Sequence, residues 1–148
     1  MRVLLVDDNP RHRRAGVRQL EAFGHEVVAL CDYGEARERA RAESFDAALL
    51  DLLMPAEPTT LGPAARAEFV GREIGIGFPL VLELTRLGIP RVAVATDTGH
   101  HDHPMSAIVD WFRDTNLMVN GARVLILHAP MCEDGTKDWE GILARLLR

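Results

Sequence analysis

Two short apolar runs end on carboxylates: Val3-Leu-Leu-Val6 leads into Asp7-Asp8, and Ala47-Ala-Leu-Leu50 leads into Asp51. If both runs are neighbouring parallel strands, their ends lie about 5 Å apart, at the sheet edge where open α/β folds place their ligands. Three carboxylates gathered there repel one another, so they must hold a hard divalent cation or take up protons. Mg²⁺ is the expected ion, with Mn²⁺ as the alternative. A carboxylate beside such a cation can attack a phosphoryl group and form an aspartyl phosphate. The plainer reading is that Asp7 and Asp51 only cap the helices that follow them.

Two more polar side chains end apolar runs. Val92-Ala-Val-Ala95 leads into Thr96-Asp97, and Val124-Leu-Ile-Leu127 leads into His128. At the same edge, a Thr96 hydroxyl can donate to a phosphoryl oxygen and a protonated His128 can add charge; each can equally bond neighbouring backbone. His100-His-Asp-His103 reads as a solvated loop, or else as a second metal site or pH-sensitive segment. Arg11, Arg13 and Arg14 lie close to Asp7-Asp8, either as solvated surface, near an anionic ligand or at a helix end.

The elements that position these groups alternate. Strands are expected at Val3–Val6, Glu26–Leu30, Ala47–Leu50, Val92–Ala95 and Val124–Leu127. Helices are expected at Pro10–Phe23, Gly34–Glu43, Pro79–Leu87, Met105–Phe112 and Trp139–Leu147. With no hairpin turns read between them, the pattern predicts an α/β fold with a five-stranded parallel sheet and helices on both faces. Residues 56–76 break the rhythm with Pro58, Gly62, Pro63, Gly71 and Gly75, which predicts a functional loop or excursion with a short helix near Ala64–Val70.

The 148 residues are expected to form a single domain, 1–148, and the net charge of -5 argues against direct nucleic-acid binding. Cys31 and Cys132 form no Cys-x-x-Cys pattern, and no apolar stretch suits a signal peptide or membrane insertion, so a cytoplasmic protein is expected.

On these residues the chain resembles the receiver domain of two-component response regulators. Val3-Leu-Leu-Val-Asp-Asp-Asn9 resembles the family's opening strand and acidic pair, and Asp46-Ala-Ala-Leu-Leu-Asp-Leu-Leu-Met-Pro55 its phosphoacceptor strand and Met-Pro turn. Ile89 to Thr96 resembles the strand ending on a switch hydroxyl, and Asn120-Gly-Ala122 the approach to an invariant lysine. The resemblance implies a flavodoxin-like fold with strand order 2-1-3-4-5. It implies Asp51 as phosphoacceptor, Asp7, Asp8 and the Leu53 carbonyl as further Mg²⁺ ligands, and Thr96 as the group meeting the phosphoryl oxygen. The family's Lys-Pro falls here on His128-Ala129, which gives the cation's role to His128; Asp97 replaces the usual small residue and Leu125 the usual aromatic.

The implied function is a signalling domain that phosphorylates itself from a phosphohistidine donor, a sensor histidine kinase or phosphotransfer protein. It is not expected to be a multiple-turnover enzyme. With no output domain after residue 148, the signal is expected to pass through protein contacts to an unknown downstream protein, and the face around residues 105–127 also suits a homodimer. Two other readings use the same residues: a pseudo-receiver that signals without stable phosphorylation, and an Mg²⁺-dependent phosphohydrolase.

Overall fold

The computed structural model describes every residue except 113, 114 and 116, so part of the face considered for a dimer lies outside the described residues. The chain runs β1 (Arg2–Val6), α1 (Pro10–Ala22), β2 (Glu26–Leu30), α2 (Tyr33–Ala42) and β3 (Ala47–Asp51). It continues with β4 (Met54–Pro55), α3 (Pro63–Phe69), β5 (Glu73–Ile74), α4 (Gly77–Arg86) and β6 (Arg91–Thr96). After α5 (Pro104–Ile108) come a 3₁₀ turn (Val109–Phe112), β7 (Leu117–Val119), β8 (Ala122–His128) and α6 (Trp139–Leu147).

Successive strand residues face opposite sides of a sheet, so an unbroken apolar strand needs cover on both. Leu4, Val6, Leu50, Val92 and Val94 join Leu80 and Leu84 of α4 on one face, while Val3, Leu5, Leu49, Ala93 and Ala95 join Trp139, Ile142 and Leu146 of α6 on the other. Helices α2 and α4 cover the first face, and α1 and α6 the second.

The sheet corrects the sequence expectation. It has six strands, not five, and is mixed, not wholly parallel, in the order β2-β1-β3-β6-β8-β7. The first five in that order are the expected parallel set, and β7 is added antiparallel to β8, pairing Leu117 with Val124 and Val119 with Ala122. Its cause was present in the sequence: Asn120-Gly121 adopts φ of 50° and 80°, the positive pair that a two-residue hairpin turn requires.

The 56–76 segment is anchored rather than free-standing. Met54–Pro55 and Glu73–Ile74 pair as a small antiparallel sheet, and α3 lies between them with no buried residue. The Tyr33 hydroxyl accepts from the Glu57 N–H at 2.8 Å and bonds Thr60, while Oε1 of Glu57 accepts from the Gly34 N–H at 3.0 Å. These bonds tie the excursion to the start of α2.

Candidate functional site

The β1–α1 turn sets the acidic pair. Asp7 is buried; its backbone N–H donates to Leu30 at 3.1 Å, and its Oδ1 accepts from the Asn9 N–H at 2.9 Å. Asn9 then caps α1 through Arg11 N–H, with Pro10 in the first helical turn. Arg13 donates to the backbone carbonyls of Asp7 and Asp8 at 2.7 and 3.2 Å, so this member of the arginine cluster holds the turn together.

Asp51 ends β3, next to β1 on one side and β6 on the other. Ligand oxygens of Asp7, Asp8 and Asp51 lie within 4.8 Å of one another. Leu53 follows two residues later with its side chain buried. Thr96 is buried at the end of β6, opposite His128 on β8, and its hydroxyl accepts from the Thr98 N–H at 3.2 Å.

The cation among these carboxylates is Lys137. Its Nζ lies 2.9 Å from Asp51, 3.1 Å from Asp97 and 3.2 Å from Asp7, and its side chain is fully buried. His128 is not in this cluster: its Nε2 lies 3.2 Å from Asp110, and its side chain is about one-third exposed. The strand thus ends on a histidine that points elsewhere, and a tight excursion supplies the lysine nine residues later.

That excursion is well defined. Met131 and Lys137 form an antiparallel bridge, closed by Cys132 N–H donating to Thr136 at 2.8 Å and Gly135 N–H donating to Cys132 at 2.9 Å. Asp134 accepts from the Thr136 N–H and hydroxyl at 2.9 and 2.7 Å. On α1, Gln19 donates to the Lys137 carbonyl at 3.1 Å and accepts from the Trp139 N–H at 2.8 Å.

Sequence reading missed Lys137 because it looked only at the strand end. A compositional signal was available: Lys137 is the only lysine among 17 basic residues. Lysine and arginine are not equivalent, since an ammonium is a compact point charge and a guanidinium a planar fork. One lysine in an otherwise arginine-only chain marks a place where the compact cation is needed.

The electrostatics follow from burial. Burial, opposed by Lys137 and reinforced by Asp7 and Asp97, pushes Asp51 up to about 7. Burial also raises Asp7 against the pull of Lys137. At Asp97 burial acts upward too, but Lys137 outweighs it and the carboxyl falls below its ordinary value. For Lys137 burial acts downward, and Asp51, Asp7 and Asp97 together raise it above the ordinary lysine value.

Divalent metal fits this donor set. The oxygens of Asp7, Asp8 and Asp51 are hard ligands, and two of the three belong to carboxyls that hold protons more tightly than usual because burial disfavours their charged forms. Asp7, Asp8 and Asp51 would hold the ion.

No protein-family model matches the chain. Its fold is that of CheY-like response-regulator receiver domains. A receiver domain protein of this kind from Methanospirillum hungatei matches over 98% of this chain and 92% of its own, with TM-score 0.57 and 20% identity. A response regulator from Burkholderia pseudomallei, crystallised with a phosphorylated aspartic acid, a calcium ion and citrate, matches over 98% of this chain and 65% of its own, with TM-score 0.58 and 24% identity. Protein PilH of Pseudomonas aeruginosa is 37% identical over 54 residues, which span 36% of this chain and 45% of PilH. Among the described residues no helix is long and apolar enough to cross a membrane.

Proposed function

We propose that this chain is a phosphoacceptor receiver in which Asp51 takes a phosphoryl group from a phosphohistidine on a sensor kinase or phosphotransfer protein. The observation that carries this reading is Lys137 Nζ, 2.9 Å from Asp51 and fully buried at the C-terminal ends of the sheet's parallel strands. A carboxylate oxygen of Asp51 attacks phosphorus, the P–N bond breaks, and the donor imidazole leaves with the bonding electrons and is protonated. Asp7, Asp8, Asp51 and the Leu53 carbonyl would hold Mg²⁺, which would supply positive charge to the phosphoryl oxygens. Lys137 is placed to pair with the phosphoryl group once it is on Asp51. Thr96, buried at the adjacent strand end, is the hydroxyl that turns from its local Thr98 bond to a phosphoryl oxygen.

Downstream signalling would run through contacts with another protein, from a single receiver unit over residues 1–148 in the cytoplasm. The pseudo-receiver reading draws support from Asp97, which already occupies Lys137 at 3.1 Å and so competes for the cation a phosphoryl group would use.

Incubation with acetyl phosphate and Mg²⁺, followed by intact mass measurement, separates the two readings. The receiver reading expects one added phosphoryl group, labile to hydroxylamine, on the wild type and none on Asp51→Ala. No mass gain on the wild type favours the pseudo-receiver; a gain that persists in Asp51→Ala means that another side chain is the acceptor.

A further inference from the structure

Beyond the acidic cluster, three side chains from three separate segments converge at the outer end of the sheet. His100 comes from the loop after β6, Asp110 from the 3₁₀ turn and His128 from the end of β8. Nδ1 of His100 lies 3.6 Å from one oxygen of Asp110, and Nε2 of His128 lies 3.2 Å from the other. One ligand atom from each of the three side chains lies within 4.8 Å of the other two.

We propose that His100, Asp110 and His128 form a second metal site, for a borderline transition cation of the Zn²⁺ type. Two imidazoles and a carboxylate are a zinc donor set that leaves a fourth position for water. A tetrahedral ion with bonds near 2.1 Å holds its ligand atoms about 3.4 Å apart. The His128–Asp110 and His100–Asp110 separations each lie within about 0.2 Å of that spacing, and because they run to the two different oxygens of Asp110, a small turn of its carboxylate brings both rings onto one ion. The three side chains are between one-third and one-half exposed, so an ion has a route in. They line an open cavity of about 320 Å³ together with Gly99, His101 and Asp102.

The histidine run divides its roles accordingly. Nδ1 of His103 accepts from the Met105 N–H at 3.1 Å and caps α5, and His101 packs edge-on against the His100 ring. Of the run, only His100 offers a ring nitrogen close enough to Asp110 and His128 to share an ion with them. Bound metal would tie the loop after Thr96 to the end of β8. The proposal does not depend on phosphorylation of Asp51.

The test is calorimetric titration of the chelator-stripped 148-residue chain with Zn²⁺, with excess Mg²⁺ present to compete for the acidic cluster. One Zn²⁺ should bind per chain, and His100→Ala and His128→Ala should each weaken it by about tenfold or more. Histidine-ring NMR should show Zn²⁺ perturbing His100 and His128 and leaving His12 in place. His100→Ala changes an exposed loop residue, so a folding defect in the other variant does not block the test. Absence of Zn²⁺ binding, wild-type affinity in both variants, or Zn²⁺ displaced by Mg²⁺ would overturn the proposal.

Discussion

The backbone N–H of Lys137 donates to Nδ1 of His12 at 3.2 Å, and Nε2 of the same ring lies 3.1 Å from Asp97. A ring that accepts at Nδ1 carries its proton on Nε2, so His12 donates to Asp97. His12 is buried on α1, and with Gln19 it fixes the backbone of Lys137 while Asp97 helps to fix its ammonium. The lysine is thus held at both ends.

Replacing Lys137 should be the most damaging single change at the site. Lys137→Met leaves Asp7, Asp51 and Asp97 without their shared cation, and breaking a buried ion pair in this way costs about 3–5 kcal/mol. Lys137→Arg should not restore full stability, because the site is filled by a compact ammonium. Urea denaturation at neutral pH measures both. The Met variant's deficit should shrink as pH falls and the carboxylates protonate; a deficit independent of pH would count against the electrostatic account.

Metal binding should depend on pH through Asp51. Its folded carboxyl holds a proton up to about 7, whereas in the unfolded chain it is lost near 4. Over that window the folded state binds more protons than the unfolded one, so the contribution of Asp51 to stability declines as pH rises from about 4 to about 7 and levels off above. Mg²⁺ needs the deprotonated form, so its affinity should increase by about tenfold per pH unit below about 7 and flatten above it. Calorimetry across this range tests the slope, which Asp51→Asn should remove.

If the acidic cluster holds Mg²⁺, the ion should also raise thermal stability through Asp8, which is less buried than Asp7 and Asp51. At a hundredfold excess over Kd the gain is about 2.7 kcal/mol. Thermal melts with and without Mg²⁺ should show that gain in the wild type and most of it lost in Asp8→Ala. Equal shifts in the two proteins would place the ion elsewhere.

Gly77 should tolerate no side chain. A Cβ there would lie 2.9 Å from the Asp51 carbonyl oxygen and the Leu52 Cα, and 2.8 Å from Val94. Its N–H donates to the Leu52 carbonyl at 3.0 Å, so α4 begins directly against the strand that carries Asp51. Gly77→Ala should cost about 1–3 kcal/mol by overpacking and should move Asp51. Chemical denaturation and amide chemical shifts of residues 50–53 together check this.

The parallel core was legible because its signals are local: each of the five parallel strands is a short apolar run stopped by polar residues, and the helices between them repeat at helical spacing. The added strand β7 was not read, although Asn120-Gly121 announces a hairpin, because Leu117–Val119 is only three residues long and alternates weakly. The carboxylates were read correctly as a gathering at one edge. The cation was not, since residues 129–136 look like an ordinary polar loop and only long-range bonds to His12 and Gln19 reveal where that loop returns. The histidine run was read as one unit, but the folded chain gives His100 and His103 different partners.

The excursion between His128 and Lys137 separates an atom's address in space from its address along the chain. Judged by the residue at the strand terminus, the site would have no fixed positive charge; judged by what sits beside Asp51, it has one. A detour of a few residues, closed by its own turn and latched to the first helix, is enough to move a functional group's position in the text without moving it in the molecule.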